Sequence, residues 1–403
     1  MKKVKPSAAS KNICLCFQVH EPARLRLYRF FDIGVDSHYY DDFANRTTLK
    51  HTVEECYLPM NALLLDLIKS TKGGLKLSFC ISGSALELFD RYAPEVIDSF
   101  RALAETGCVE FVSTPYYHSL SSLASGAEFR HQVLKHEALT EKLFGVKPTT
   151  FCNTELIYSD SIAAEVAAMG YKAVITEGAK NLLGWRSPDY VYGSESAPGL
   201  KLLLRSYGLS DDVGLRFSDS HWASWPLTAE KYLGWVQACD GSLVNICTGY
   251  DSFGLVHPAS SGIFDFFRAF VGQALAQGLG FVTPAQAALA EPVADLSVPD
   301  AISWTGVESD VSAWLGNELQ QDAFNKLYAL TEQLSILGDA DLWSDFGHLQ
   351  ESDNFYYMCT KFFAEGDVRK FQNPYDTPYE AFINYMNVLN DFTIRVKDKM
   401  AEK

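Results

Sequence analysis

Acidic, imidazole and aromatic side chains recur directly after the predicted strands of this chain of 403 residues. In chain order they are His20, Glu21, Tyr117, His118, Glu155, Glu177, Asp212 and Asp251. In a barrel of parallel strands the carboxyl ends of all strands meet at one rim, and catalytic residues lie there. The repetition of these residue types on one predicted rim therefore indicates a polar site.

Two carboxyl groups beside an aromatic wall are suited to cleaving a glycosidic bond. One carboxylate attacks the sugar, and the second carboxyl group protonates the departing oxygen. Aromatic rings provide apolar platforms for the C–H faces of sugars. The candidate platforms are Tyr117, Trp222, Trp225, Trp235, Trp304 and Trp314.

The motifs of several other chemistries do not occur in the sequence. There is no G-x-x-x-x-G-K-[ST], no G-x-G-x-x-G after a strand, no G-x-S-x-G and no H-E-x-x-H. A metal-dependent sugar deacetylase would need paired Asp and His ligands, and the spacing of His20, His118, Asp211 and Asp212 does not support such a set. We therefore predict no metal and no cofactor.

The elements that would position these residues alternate regularly. Apolar segments typical of strands are residues 13–19, 75–81, 109–113, 149–153, 172–176, 201–205, 242–248 and, more weakly, 280–283. Segments with helical spacing lie between them, at 54–70, 93–105, 128–144 and 161–169. Strand–helix repeats with strands that are apolar on both faces predict a covered parallel sheet. At this length we expect an α/β fold with a distorted or incomplete (β/α) barrel.

The alternation of predicted strands and helices ends near residue 299. Segments 310–338, 355–365 and 378–399 are predicted helices, and strand patterns are no longer found. We therefore predict two domains, a barrel over residues 1–298 that carries the cleft and a helical domain over residues 299–403.

The charge and the cysteine content limit the partners and the compartment. The net charge of −16 argues against nucleic acid and against an anionic membrane surface. No run approaches the roughly 20 apolar residues of a membrane span. Nine cysteines without a C-x-x-C pair indicate buried thiols in a reducing cytoplasm.

Five ordered stretches resemble family 57 glycoside hydrolases of the α-amylase group. They are CFQVHEPARLRLYRFFDIG with YYDDFAN (16–45), GCVEFVSTPYYHSLSSL (107–123), FCNTELIYSD (151–160), NICTGYDSFG (245–254) and ISWTGVESDVSAWLGNELQ (302–320). The resemblance covers nearly the whole chain. It implies a retaining enzyme of α-1,4-glucans with no required metal. It also implies an incomplete (β/α)7 barrel followed by a C-terminal helical region.

The resemblance also implies roles for individual residues. Glu155 matches the family's nucleophile, and His20 matches a histidine that lines the sugar site. The acid/base position corresponds to Gly249, which has no proton to give. The remaining residues expected to bind substrate are Glu21, Tyr117, His118, Glu177, Asp212 and Trp304.

The missing acid is the main departure from the family pattern. Loss of a general acid costs typically about 10²–10⁴-fold in rate. Asp251 is a possible substitute, but two residues along a straight strand it would lie displaced by about 6.6 Å. Gly306 likewise stands where the family's amylases carry a carboxylate.

Three hypotheses remain open from the sequence. The first is an active α-glucan hydrolase or transferase of the α-amylase type in which Asp251, Glu21 or Glu177 replaces the lost acid. Because position 249 is Gly, we expect weak activity or none. The second is a non-catalytic protein that binds α-glucans or regulates their metabolism. The third is a vestigial cleft in a protein that acts only as a partner in glycogen metabolism. Chain-length preference and oligomeric state do not follow from the sequence.

Overall fold

A computed structural model describes residues 11–361 and 373–403. Its strands are β1 (Asn12–Val19), β2 (Leu77–Ile81), β3 (Val109–Phe111), β4 (Thr150–Cys152), β5 (Ala173–Glu177), β6 (Val191–Ser194), β7 (Lys201–Arg205), β8 (Leu243–Gly249), β9 (Gly280–Val282) and β10 (Asp295–Leu296). All eight predicted strands are confirmed with small shifts of their ends. The sequence analysis did not predict β6 and β10.

Seven parallel strands form the barrel. β1 pairs with β2 on one side and β8 on the other, and β2 pairs with β3. β4 pairs with β5, β5 with β7, and β7 meets β8 at the pair Arg205 and Asn245. Between β3 and β4 a single parallel bridge joins Ser113 to Phe151. The ring is therefore an incomplete (β/α)7 barrel, as predicted.

The other three strands do not belong to this ring. β6 runs antiparallel to β7, β10 pairs in parallel with β6, and β9 pairs with the start of β1. Strands β6 and β10 are short, and β6 reverses direction after β5. A pattern of alternating strands and helices does not predict such an insertion.

The helices cover the barrel and fill the C-terminal part. They are α1 (Asp42–Thr52), α2 (Leu58–Ser70), α3 (Gly83–Tyr92), α4 (Pro94–Ala104), α5 (Gly126–Phe144), α6 (Asp160–Ala168), α7 (Lys180–Leu183), α8 (Tyr207–Gly214), α9 (Ala229–Ala238), α10 (Ile263–Ala276), α11 (Pro284–Ala287), α12 (Ser312–Leu315), α13 (Glu318–Tyr328), α14 (Thr331–Leu337), α15 (Ala340–Leu349), α16 (Ser352–Tyr356) and α17 (Pro378–Glu402). A π-helix over Val53–Tyr57 joins α1 to α2.

Two predicted helical segments differ from the structure. The segment 310–338 is three helices, because Gly316 ends α12 and the chain turns again at Ala329 and Leu330. The segment 355–365 contains only the end of α16, and residues 362–365 lie outside the described residues. The prediction for 378–399 is confirmed by α17.

Helix ends follow from local chemistry where they support the barrel. At the start of α5, the Ser125 side chain accepts a hydrogen bond from the Glu128 amide. The same helix ends at Gly145, whose φ of 71° is the left-handed conformation that glycine adopts without cost.

Two apolar clusters hold the elements together outside the barrel. One joins the outer faces of β1, β2 and β8 to α2, α4, α9 and α10. The other joins β4, β5 and β7 to the helices after Ser312, including the buried Trp314 of α12. Because the C-terminal helices share a core with the barrel strands, the division into two domains at residue 298 stays a prediction. None of the described helices is long and apolar enough to cross a membrane.

Candidate active site

A cavity of about 130 Å³ opens at the carboxyl ends of the barrel strands. It brings together six of the residues predicted for the site, which are His20, His118, Glu155, Gly249, Asp251 and Trp304. Gln18, Tyr57, Arg205, Cys247, Thr248 and Asp353 also line it. The predicted rim of the barrel therefore contains a real concave site.

The Glu155 carboxylate is held firmly at the wall of this cavity. It follows β4 in a short turn, Thr154–Leu156, and its φ of 55° lies in the left-handed region that non-glycine residues rarely adopt. Its Oε2 accepts a hydrogen bond of 2.7 Å from the Trp304 indole. Its Oε1 lies 3.2 Å from His118 Nε2 and 3.2 Å from the Ser352 hydroxyl. Strained backbone with this many side-chain contacts is typical of a functional position.

The two histidines of the site stack on each other. The rings of His20 and His118 lie 4.2 Å apart between centroids, with planes 27° apart. His20 contacts the Ser82 hydroxyl through Nδ1 at 2.7 Å and the Asp353 carboxylate through Nε2 at 2.8 Å. Burial, and then the neighbouring His20, lower the pKa of His118 although Glu155 opposes this. The neutral His118 imidazole is therefore favoured near neutral pH.

Gly249 ends β8, and the chain then turns sharply. Residues Tyr250–Ser252 form a single turn of 3₁₀ helix, so Asp251 does not continue along the strand. The expectation that Asp251 lies about 6.6 Å further along a straight strand is therefore wrong. A Cβ added to Gly249 would collide with Oδ1 of Asp251. The Asp251 carboxylate thus lies beside the point where a side chain of residue 249 would begin.

Two predicted binding residues lie away from the cavity lining. Glu21 is buried, accepts a hydrogen bond of 3.0 Å from the Tyr57 hydroxyl and lies 3.7 Å from Arg24. Tyr117 receives a hydrogen bond of 2.5 Å from Lys135, and its ring packs against His348 of α15. In this structure both residues connect elements around the site and do not line its wall.

The other two predicted residues lie near a second cavity of about 170 Å³. Glu177 lines it together with Lys180, Tyr207, Asp211 and Tyr356, and it shares Trp304 and Leu215 with the first cavity. Asp212 does not line either cavity and pairs with Arg216 at 2.8 Å. The two cavities therefore adjoin each other at Trp304 and Leu215.

The Glu177 carboxyl group in the second cavity has a shifted pKa. Burial raises the pKa of Glu177 to about 7, although the Arg205 guanidinium at 3.1 Å opposes the shift. Arg205 also pairs with Asp211 and donates to the Cys247 carbonyl at 2.9 Å. These contacts tie the ends of β5, β7 and β8 together between the two cavities.

Sequence reasoning missed Arg205, Ser352 and Asp353. Arg205 could have been found, because it is a charged residue at the carboxyl end of the predicted strand 201–205. Ser352 and Asp353 belong to α16, nearly 200 residues after Glu155 along the chain, and no local pattern links them to the rim. In residues 11–361 and 373–403, no cluster of three or more His, Cys, Asp or Glu is arranged to hold a metal ion.

Comparison with known families agrees with this geometry. The model of "Glycosyl hydrolase family 57" matches residues 14–298. This chain belongs to glycosyl hydrolase family 57. A relative from Methanocaldococcus jannaschii, named "Putative alpha-amylase", is 36% identical over 404 residues, which cover 96% of this chain and 85% of that protein.

Solved structures of family 57 share the fold at low sequence identity. A GH57-type branching enzyme from Pyrococcus horikoshii is 14% identical and superposes with a TM-score of 0.68, over 87% of this chain and 86% of that one. The alpha-amylase AmyC from Thermotoga maritima is 11% identical with a TM-score of 0.64, over 97% and 94% of the two chains. Both likenesses show the family 57 fold.

Proposed function

We propose that this family 57 protein binds α-1,4-glucans across its two cavities and cleaves them slowly, with retention of configuration. In this proposal Glu155 is the nucleophile. Asp251 is the acid/base in place of the side chain that Gly249 lacks. The relatives named above carry α-amylase and branching-enzyme names, which favours an α-glucan as substrate.

Support for the nucleophile comes from the contacts of Glu155. The Trp304 indole donates to one carboxylate oxygen, while His118 and Ser352 lie against the other. Such contacts fix the direction in which a carboxylate faces the cavity, and pre-oriented groups react faster than mobile ones. Attack on the anomeric carbon would form a covalent glycosyl–enzyme intermediate, which water then hydrolyses.

Support for the acid comes from the turn after β8. The Asp251 carboxylate lies beside the position of the missing side chain at Gly249 and lines the same cavity as Glu155. A carboxyl group there can protonate the departing oxygen and then accept a proton from the attacking water. Because Asp251 reaches this place from a turn and not from the strand itself, we expect imperfect alignment and low activity.

A substrate with a good leaving group separates the two roles experimentally. An α-maltosyl fluoride loses fluoride without needing an acid, so its cleavage depends on the nucleophile. Maltooligosaccharides need both groups. We expect rapid consumption of the fluoride, slow hydrolysis of maltooligosaccharides, and α-configured first products when the reaction is followed by NMR. β-configured products, or an untouched fluoride, would overturn the retaining mechanism.

A non-catalytic glucan-binding role is the second candidate. It is favoured by the absence of side chains at both Gly249 and Gly306, where the resembled amylases carry carboxylates. Under this alternative, calorimetry would detect glucan binding while both substrates stay intact. Failure to bind any glucan would favour a vestigial cleft instead.

A further inference from the structure

Five cysteine side chains face the interior of the barrel. They belong to one buried cluster together with small and branched apolar residues, and they are Cys14, Cys16, Cys80, Cys152 and Cys247. They come from β1, β2, β4 and β8. Barrel interiors are usually filled by branched aliphatic side chains. Here thiols take several of those places, directly below the active-site cavity.

The cysteines of this cluster lie close to one another. Cys16, Cys152 and Cys247 belong to the same buried cluster, and the Cys80 thiol lies 4.0 Å from the Cys152 carbonyl oxygen. Cys16 and Cys247 are in addition direct register partners on neighbouring strands. Neighbouring strands lie about 4.7–4.9 Å apart, which is within the Cα separation of about 4.4–6.8 Å that disulfides require. The spacing of the two strands therefore allows a disulfide between Cys16 and Cys247.

These cysteines lie just before the residues of the site. Cys16 precedes His20 by four positions on the β1 side, and Cys247 precedes Gly249 by two on the β8 side. Cys247 lines the cavity wall, whereas Cys16 does not line it. A small molecule that enters the cavity would therefore meet Cys247 and have Cys16 directly behind it.

Hydrogen bonding distributes the acidity of the cluster unevenly. Hydrogen bonds from Cys152 and Cys247 lower the pKa of Cys16, although burial opposes this shift. The same contacts raise the pKa of Cys152 and of Cys247. Because the thiolate is the reactive form of cysteine, Cys16 is the favoured nucleophile of the cluster.

We propose that Cys16 and Cys247 form a thiol site that small peroxides oxidise to a disulfide. Hydrogen peroxide in the cavity meets Cys247 first: the Cys247 sulfur attacks one oxygen, the O–O bond breaks, and a sulfenic acid and one water form. The Cys16 sulfur then attacks the Cys247 sulfur, the S–O bond breaks, and a second water leaves. Two thiols lose two electrons, and the peroxide gains them.

The disulfide would change the active site through its supporting strands. It would link β1 to β8 two positions before Gly249. The Tyr250–Ser252 turn and the loop that follows β1 at His20 would therefore either move or lose mobility. Since Asp251 belongs to that turn, we expect glucan affinity to fall several-fold on oxidation and to recover on reduction.

The test uses the full chain, reduced, then treated with hydrogen peroxide and digested without reductant for mass spectrometry. We expect a linked peptide pair containing Cys16 and Cys247, and the loss of two titratable thiols. Cys16→Ala and Cys247→Ala should each abolish this link. Cys108→Ala, which removes a buried thiol outside the barrel interior, should preserve it. Calorimetry with a maltooligosaccharide before and after oxidation, and after dithiothreitol, measures the consequence.

Several results would overturn the proposal. Oxidation confined to the partly exposed Cys239 and Cys359 would do so. A link between Cys16 and Cys152 would show that the pairing is wrong. An intact glucan affinity in the linked protein would remove the regulatory consequence. Peptide mapping does not depend on glucan binding, so its outcome is independent of whether the proposed hydrolase function holds.

Discussion

The carboxyl ends of β4 and β8 face the same cavity but are built very differently. At the end of β4, Glu155 has a rare backbone conformation and contacts to His118, Trp304 and Ser352. At the end of β8, Gly249 has no side chain, and Asp251 approaches from the following turn. Glu155 is thus held by its neighbours, whereas residue 249 itself offers no side chain. Under the proposed roles, the difference teaches that a scaffold can keep the position of its nucleophile while the proton donor moves to a neighbouring position.

The largest effect is expected from removing the carboxylate of Glu155, which is the proposed nucleophile. Glu155→Gln keeps the shape but cannot attack, so we expect both maltooligosaccharides and α-maltosyl fluoride to lose turnover by about 10⁴-fold or more. Steady-state kinetics measure this, with Glu165→Gln on the protein surface as the control. Retained turnover of the fluoride would show that another group attacks.

Removal of the proposed acid should separate the two substrates. Asp251→Asn is expected to lower maltooligosaccharide hydrolysis by about 10²–10⁴-fold. The first release of fluoride from α-maltosyl fluoride should stay nearly unchanged, while the later hydrolysis of the glycosyl–enzyme, which needs a base, becomes slow. Asp219→Asn, at an exposed position outside the cavity lining, is the control. An equal loss of maltooligosaccharide hydrolysis and of the first fluoride release would assign Asp251 to positioning and not to proton transfer.

Substitutions at Gly249 test the space beside Asp251. Gly249→Ala adds only a Cβ, which would push the Asp251 carboxylate away, so we expect roughly 10-fold slower hydrolysis of maltooligosaccharides. Gly249→Asp adds the same Cβ together with a carboxyl group, and should match or exceed the natural protein. If Gly249→Ala is as active as the natural protein, the Asp251 carboxylate is not the acid.

A smaller effect is expected from the support of Glu155. Trp304→Phe keeps an aromatic wall but removes the indole donor, and a hydrogen bond to a charged group contributes about 1.5–3 kcal/mol. We expect kcat for the fluoride to fall by at least about 10-fold. Trp222→Phe, which leaves Glu155 untouched, is the matched control. A loss confined to KM would mean that Trp304 binds sugar without orienting Glu155.

The smallest expected effect is a pH dependence of stability on the β4 side. The pKa of His118 is lowered in the fold, so the unfolded chain takes up a proton first as the pH falls below about 6.5. Stability should therefore decrease below that pH, with a slope of at most about 1.4 kcal/mol per pH unit from this residue. Urea unfolding of the natural protein and of His118→Asn compares the slopes. Identical slopes would show that His118 titrates normally.

The sequence predicted the barrel better than it predicted the walls of the site. Apolar runs and their alternation with helical segments located eight of the ten strands, because strands buried on both faces are continuously apolar. The placement of Asp251 failed, because a strand end followed by a 3₁₀ turn cannot be read from the letters YDS alone. Glu21 and Tyr117 carry the right chemistry and follow strands, yet side-chain packing with Tyr57 and Lys135 keeps them off the cavity lining.

The contribution of α16 to the cavity has a consequence for biosynthesis. Ser352 and Asp353 contact Glu155 and His20 from a part of the chain that follows all of the barrel strands. The strands of the ring are synthesised before these residues. A nascent ring would therefore have Glu155 without Ser352 and His20 without Asp353, so the site would be complete only near the end of synthesis. A chain cut after residue 298 would lack both contacts and also the helices that share an apolar core with β4, β5 and β7.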